Sequence, residues 1–456
     1  MSSFGASTIV ALATPSGVGG IAVIRISGPA SIDTAISITN RPADDFRPRH
    51  ALLTPLFDFD GLEIDQAVVT FFPAPNSYTG EDVLEISSHG GYVVPKNIIK
   101  ACILYGCDAA APGEFTKRAF LNGKMDLSQA EAVAELISAK TDVGRAASYK
   151  IMSGKFANLI NLLRQQLVDF LSVIEAELDF DSSEVPELTV KERIESLNSV
   201  LATVKKLLLT YETGRRIVRG AVVVIVGAPN VGKSSLLNAI LSERRVIVST
   251  TPGTTRDPVE VQYQINGLPV QIIDTAGNRP ASDEIESSGL SIAQSFIDRA
   301  DLLLWVHDNT SSPSDLSDSI ANSPYDQKFI PVLNKSDLLS SKQKKQYTNS
   351  SKRLSTFLVS ALTGSGIADL VTTIGDLMAP TSTDSEILLT NARHFEALTS
   401  CFEHLGCALS AVSDGTPLDV LALHVRSSLS SLDSIVGRTT SDEIINNIFS
   451  GFCVGK

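Results

Sequence analysis

The stretch Gly227-Ala-Pro-Asn-Val-Gly-Lys-Ser234 constrains this chain more than any other. It satisfies G-x-x-x-x-G-K-[ST], the phosphate-binding loop of nucleoside triphosphatases. The β-branched run Ala221–Val226 before it reads as a buried strand, and Ser234–Leu241 after it has helical spacing. Gly227 and Gly232 let backbone N–H groups converge on phosphate oxygens at a helix N-terminus. Lys233 is expected to reach the β- and γ-phosphates, and the Ser234 hydroxyl to ligate Mg²⁺.

A chain of 456 residues suggests roughly three domains. The expected fold class is α/β plus α, with an N-terminal mixed α/β domain over 1–120 and a helical bundle domain. A Ras-like P-loop GTPase domain over 218–378 is inserted between the two helical parts, 121–217 and 379–456. In the first domain Ile21–Ile26, Gln66–Phe72 and Val83–Ile86 read as strands. Arg25, Glu81, Asp82, Glu85 and His89 gather near its glycine-rich turns, which fits either surface charge or a small-molecule site. Phe156, Leu159, Ile160, Leu163, Leu167, Phe170, Leu171, Ile174 and Leu178 form one apolar stripe, and Ile194, Leu197, Val200, Leu201, Val204, Leu207, Leu208 and Tyr211 form another. Such stripes are bundle core.

From Gly220 onward strand and helix alternate as in a doubly wound parallel sheet, with strands expected at 221–226, 259–264, 268–273, 301–306, 328–333 and 356–359. Asn266-Gly267 joins the second and third as a hairpin. Asn334-Lys335-Ser336-Asp337 follows the strand 328–333. A carboxylate there accepts from guanine N1–H and the 2-amino group, which adenine does not offer. Ser360-Ala361-Leu362 follows the next strand and is expected to place a backbone N–H on the guanine oxygen. Asp274-Thr275-Ala276-Gly277 closes strand 268–273, with Asp274 holding Mg²⁺ through water and the Gly277 N–H sensing the γ-phosphate. Thr254 and Thr255 read either as turn residues or as a switch loop, with Thr255 ligating Mg²⁺ in the triphosphate state.

A net charge of −13 argues against a protein that coats nucleic acid through bulk charge. RNA contacts would fall to local patches such as Arg215, Arg216 and Arg219, or Arg244 and Arg245, each of which taken alone reads as a solvated face. Five cysteines with no C-x-x-C pair point to a reducing compartment, and no apolar run approaches the ~18 residues of a membrane span. No basic residue precedes Arg25, so a secretory signal is not expected, and the chain reads as cytoplasmic.

The order P-loop, Gly253-Thr-Thr-Arg-Asp257, D-T-A-G, N-K-x-D resembles the translation-factor-like GTPases. Tyr78-Thr-Gly-Glu-Asp82, Gly113-Glu-Phe-Thr-Lys-Arg-Ala-Phe-Leu-Asn122 and Phe452-Cys-Val-Gly-Lys456 narrow the resemblance to the MnmE (TrmE) family of tRNA uridine-modification GTPases. The resemblance spans essentially the whole chain. It implies a homodimer through the N-terminal domain and an FAD-dependent MnmG (GidA) partner forming a heterotetramer. It also implies modification of a tRNA wobble uridine at C5, using a 5-formyltetrahydrofolate-type one-carbon donor.

Carried onto this sequence, the resemblance implies nucleotide contacts at Asn230, Val231, Gly232, Lys233, Ser234 and Ser235, and at Ser249, Thr250, Thr251, Pro252, Gly253, Thr254 and Thr255. Further contacts are implied at Asp274, Thr275, Ala276, Gly277, Asn334, Lys335, Asp337, Ser360, Ala361 and Leu362. K⁺ would sit on Asn230, Ser249, Thr251 and Thr254, mostly through backbone oxygens, and do the task of an arginine finger. Glu286 would orient the water. Asn278 stands where Ras-like proteins carry Gln and is one methylene shorter, which leaves open whether it helps or hinders the water. The folate-type site would use Arg25, Glu85, Lys124 and Lys456, while the role of Cys453 stays open. Two other readings remain: a GTP-regulated RNA or ribosome assembly factor, and a folate enzyme for which GTP is only regulatory.

Overall fold

A computed structural model describes residues 7–180, 188–243, 246–249, 262–274, 294–309, 312, 322–324, 328–350, 356–378 and 387–456. Two compact units emerge. One comprises Met1–Ala134, Ile151–Leu201 and Ser400–Lys456; the other comprises Glu135–Lys150 and Ala202–Thr399.

The first unit holds a six-stranded sheet of β1 (Ile9–Leu12), β2 (Ile21–Ser27), β3 (Leu52–Phe57), β4 (Glu63–Phe72), β5 (Val83–His89) and β6 (Asp108–Ala109). Their order is β3-β4-β5-β2-β1-β6. Helices Ser31–Thr39 and Val94–Leu104 pack Ala35, Ile38, Ile98 and Cys102 against Ile24, Ile26, Leu84 and Ile86 of the sheet. The three strands expected from sequence are present, and three more accompany them. β3 carries Pro55, which a ladder tolerates here because β3 is an edge strand. In the register of β2 and β5, Arg25 stands directly opposite Glu85.

The same unit contains the long helix Lys155–Asp179, whose stripe Phe156, Ile160, Leu163, Leu167, Phe170 and Ile174 is buried. Leu178, counted with that stripe from sequence, is instead exposed. The helix is fastened to Leu418–Val436 by Arg164 Nε to Asp433 Oδ1 at 2.6 Å and Arg426 Nη2 to Glu175 Oε1 at 2.8 Å. The second stripe divides between two helices, Val190–Leu208, which starts in this unit, and Tyr211–Arg219, which belongs to the second. The break comes where Thr210 bonds Leu207 O through both its N–H and its hydroxyl.

The second unit is built on seven strands: β7 (Ala221–Gly227), β8 (Val246–Ser249), β9 (Gln262–Ile265), β10 (Leu268–Asp274), β11 (Leu302–His307), β12 (Phe329–Leu333) and β13 (Phe357–Leu358). Their order is β13-β12-β11-β7-β10-β9-β8. All pairings are parallel except those of β9, which runs antiparallel to both β10 and β8. β7 is apolar along its length because both faces are covered. Val223 and Ile225 join one core with the helices Lys233–Leu241 and Ile367–Met378, while Val224 and Val226 join another with Leu303. Asn266 and Gly267, with φ of 51° and 78°, make the β9–β10 turn. The expected strand 259–264 is described from Gln262 onward, and 259–261 lie outside the described residues.

Candidate functional site

The carboxyl ends of β7, β10, β12 and β13 bring four motif segments together in the second unit. Leaving β7, the chain turns through Asn230 and Gly232, with φ of 63° and 93°, into the helix Lys233–Leu241. Glycine at 232 is required twice over, since a Cβ there would stand 2.4 Å from Asn334 Nδ2. Gly227 is similar: its Cβ would lie 2.3 Å from Val306 O. Lys233 Nζ donates to Gly227 O at 2.9 Å and Ala228 O at 2.8 Å, which folds its ammonium over the loop. Ser234 Oγ donates to Asp274 Oδ2 at 2.5 Å, joining the P-loop to the end of β10. A hydroxyl beside a carboxylate is a hard oxygen pair of the kind Mg²⁺ takes.

The segments after β12 and β13, Asn334–Asp337 and Ser360–Leu362, lock onto the same loop. Asn334 Nδ2 donates to Val231 O at 3.0 Å, while Asn334 Oδ1 accepts from Ala361 N at 3.1 Å. Lys335, with φ of 59°, directs Nζ to Asn230 O and to Asp308 Oδ2, each at 2.9 Å. Ser360 Oγ donates to Asp337 Oδ1 at 2.6 Å. Ser235, Ala361 and Leu362 face one another across a groove of about 590 Å³ that Asn238, Ser242 and Ile367 also line. Asn230, Val231, Gly232, Lys233, Ser234, Asp274, Asn334, Lys335, Asp337, Ser360 and Ala361 are thus brought together. Asp308 joins this cluster through Lys335 without belonging to any of the motifs. The available signal was an acid just past a strand's carboxyl end in a doubly wound sheet.

Thr250, Thr251, Pro252, Gly253, Thr254, Thr255, Thr275, Ala276, Gly277, Asn278 and Glu286 lie outside the described residues, as do Arg244 and Arg245. Ser249 ends β8, opposite Gln262 of β9. Of the arginines named as a local RNA patch, Arg219 is exposed, whereas Arg215 and Arg216 are engaged within the unit. Arg215 and Arg216 both bond the buried carboxylate of Asp301, which also accepts from Val222 N at 2.9 Å.

In the first unit, Arg25 Nη2 lies 2.8 Å from Glu85 Oε1, and its guanidinium rests over the rings of Tyr78 and Phe115 at 5.1 and 5.8 Å. The terminal segment folds onto the same sheet. Gly113 N donates to Cys453 O at 3.3 Å and Phe115 N to Lys456 O at 3.2 Å. A Cβ on Gly455 would lie 2.0 Å from Leu12 O, so only glycine fits that approach to β1. Burial, then the Arg25 charge, pushes the Lys456 ammonium below its usual pKa, against an opposite pull from Cys453 and Glu85. Lys456 therefore sits within electrostatic reach of the Arg25–Glu85 pair.

Lys124 joins less directly, donating Nζ to Pro75 O at 3.0 Å on the loop that carries Tyr78. The other charges grouped with Arg25 in the sequence are diverted. Glu81 accepts from Arg118 Nη1 at 3.2 Å, His89 Nδ1 contacts Asp65 Oδ1 at 2.7 Å, and Asp82 Oδ1 caps Ala74 N at 2.8 Å. Arg118 of the 113–122 motif is buried and also held by Glu114 Oε1 at 2.9 Å, so it braces Glu81.

Comparison with known proteins gives two family matches. Residues 8–124 match the GTP-binding protein TrmE N-terminus, and residues 127–453 match the MnmE helical domain. A curated relative from Moorella thermoacetica is 39% identical over 98% of this chain and 99% of its own length. Others from Caldicellulosiruptor saccharolyticus and Carboxydothermus hydrogenoformans are 38% and 37% identical over the same shares. All three are described as tRNA modification GTPase MnmE.

Proposed function

The chain belongs to the MnmE (TrmE) family of tRNA modification GTPases, and on that premise we propose a K⁺-stimulated GTPase that works with an FAD-dependent MnmG (GidA)-type protein on tRNA. The pair would convert a wobble uridine at C5 to its 5-carboxymethylaminomethyl or aminomethyl form, taking one carbon from a formyl-tetrahydrofolate. The observation that carries this reading is full-length similarity at 37% and 39% identity to tRNA modification GTPases.

Ser234 and Asp274, with Thr255, would hold Mg²⁺ against the β- and γ-phosphates. Asn230, with the backbone of Ser249, Thr251 and Thr254, would hold K⁺. Bound there, K⁺ would supply positive charge where the phosphoryl oxygens gain negative charge. Glu286 would orient the attacking water. On the N-terminal sheet, Glu85 offers a carboxylate for a pterin-type ring, while Arg25, Lys456 and Lys124 suit the ligand's own carboxylates. A homodimer through that domain, a heterotetramer with the partner and a cytoplasmic location complete the proposal.

The test is reconstitution with an MnmG-type partner, unmodified tRNA, GTP and formyl-tetrahydrofolate, read by mass spectrometry of the wobble nucleoside. Modification should require all components and vanish with Lys233→Ala. Full modification by that variant would make GTP merely regulatory. Absence of both folate binding and modification would favour an RNA or ribosome assembly factor.

A further inference from the structure

Among the described residues of the nucleotide site, two carry side chains in the left-handed region, which disfavours any residue with a Cβ. They are Asn230 of the P-loop and Lys335 of the base loop, at φ 63° and 59°. One ammonium ties them. Lys335 Nζ donates to Asn230 O at 2.9 Å, and its second partner at the same distance is Asp308 Oδ2. Asp308 follows directly on β11 and is 8% exposed, a carboxylate that would be costly to bury without a cation.

We infer that Asp308 is a positioning residue for guanine nucleotide binding, holding Lys335 Nζ on the Asn230 carbonyl and so locking the base loop to the phosphate loop. The inference rests on the nucleotide occupying this site. With its charge balanced by Asp308, Lys335 is not left to draw in phosphate; it serves by placing its aliphatic stem where the base lies. Without the carboxylate, the ammonium is released toward solvent and phosphate, and Asn230 loses the donor that fixes its turn. Both ends of the nucleotide then meet a looser site. The other cross-ties among the described residues, Asn334 to Val231 O and Gly232 O and Ala361 N to Asn334, do not touch Asn230.

The experiment measures affinity and dissociation of fluorescent GDP and GTP for the full chain, for Asp308→Ala and for Asp308→Asn. The alanine variant should bind both about tenfold more weakly through faster release, the size of one charge-assisted hydrogen bond. Asparagine keeps an acceptor and should recover most of that loss. The preference for guanine over hypoxanthine nucleotides should not change, because Asp337 and Ser360 are untouched. Affinity of the alanine variant within twofold of the parent would overturn the inference. So would a loss that tracks a lowered Tm and is equal in both variants. Lys233→Ala serves as the control for the premise. If it still binds GTP, the nucleotide lies elsewhere and the inference falls with that reading, whatever Asp308→Ala does.

Discussion

Ser360 donates its hydroxyl to Asp337 Oδ1 over 2.6 Å, from a fully buried position beneath an exposed carboxylate. One oxygen of Asp337 is thereby pinned and the plane of the carboxyl group is set. A carboxylate held in this way suits the paired N–H donors along one edge of guanine. Asp337→Asn replaces an acceptor by a donor and should weaken GTP binding at least about 100-fold. Ser360→Ala should cost roughly three- to tenfold, one ordinary hydrogen bond. Titration with a fluorescent GTP analogue decides the matter, and unchanged affinity in Asp337→Asn would remove N-K-x-D from base recognition.

Asp301 is the buried anchor of the helix Tyr211–Arg219, accepting from Arg215, Arg216 and Val222 N with its side chain 3% exposed. Removing it takes the buried carboxylate from Arg216 and leaves Arg215 with the exposed Glu212. Asp301→Ala should lower stability by about 3 kcal/mol in urea unfolding. A loss under about 1 kcal/mol would return the arginines to the status of solvated side chains.

The docked terminal segment should respond to pH. Lys456 is held below its ordinary pKa of 10.5 by burial first and by Arg25 second. Between the depressed value and 10.5 the unfolded chain binds more protons than the folded one, so docking gains stability as pH rises through that window. Below the window the penalty for burying the ammonium is fully present. Pulsed acetylation across pH, read by peptide mass spectrometry, should find Lys456 reactive at lower pH than exposed lysines. Arg25→Gln should shift its profile upward, and co-titration of Lys456 with the bulk lysines in both proteins would contradict the placement.

The nucleotide loops were legible because phosphate and guanine dictate residue types locally. Gly232 is glycine because Asn334 leaves no room for a Cβ, and β7 is continuously apolar because two cores press on it. What stayed hidden depends on residues far apart in the chain. Arg215 and Arg216 looked solvated because their partner Asp301 lies 86 and 85 positions away. Gly455 gives no hint that it will meet Leu12, and Asp308 gives none that it will meet Lys335. Strand β3 was hidden by Pro55, and β6 by being two residues long.

The most direct test of the proposed function is GTP turnover in K⁺ against Na⁺ at matched ionic strength, for the parent and for Asn230→Ala. The account predicts strong stimulation by K⁺ in the parent and at least about a tenfold loss of that stimulation in the variant, with GTP still bound. Equal turnover in the two salts would contradict it, separating Asn230 from hydrolysis and leaving a GTPase that works without a cation beside its phosphates.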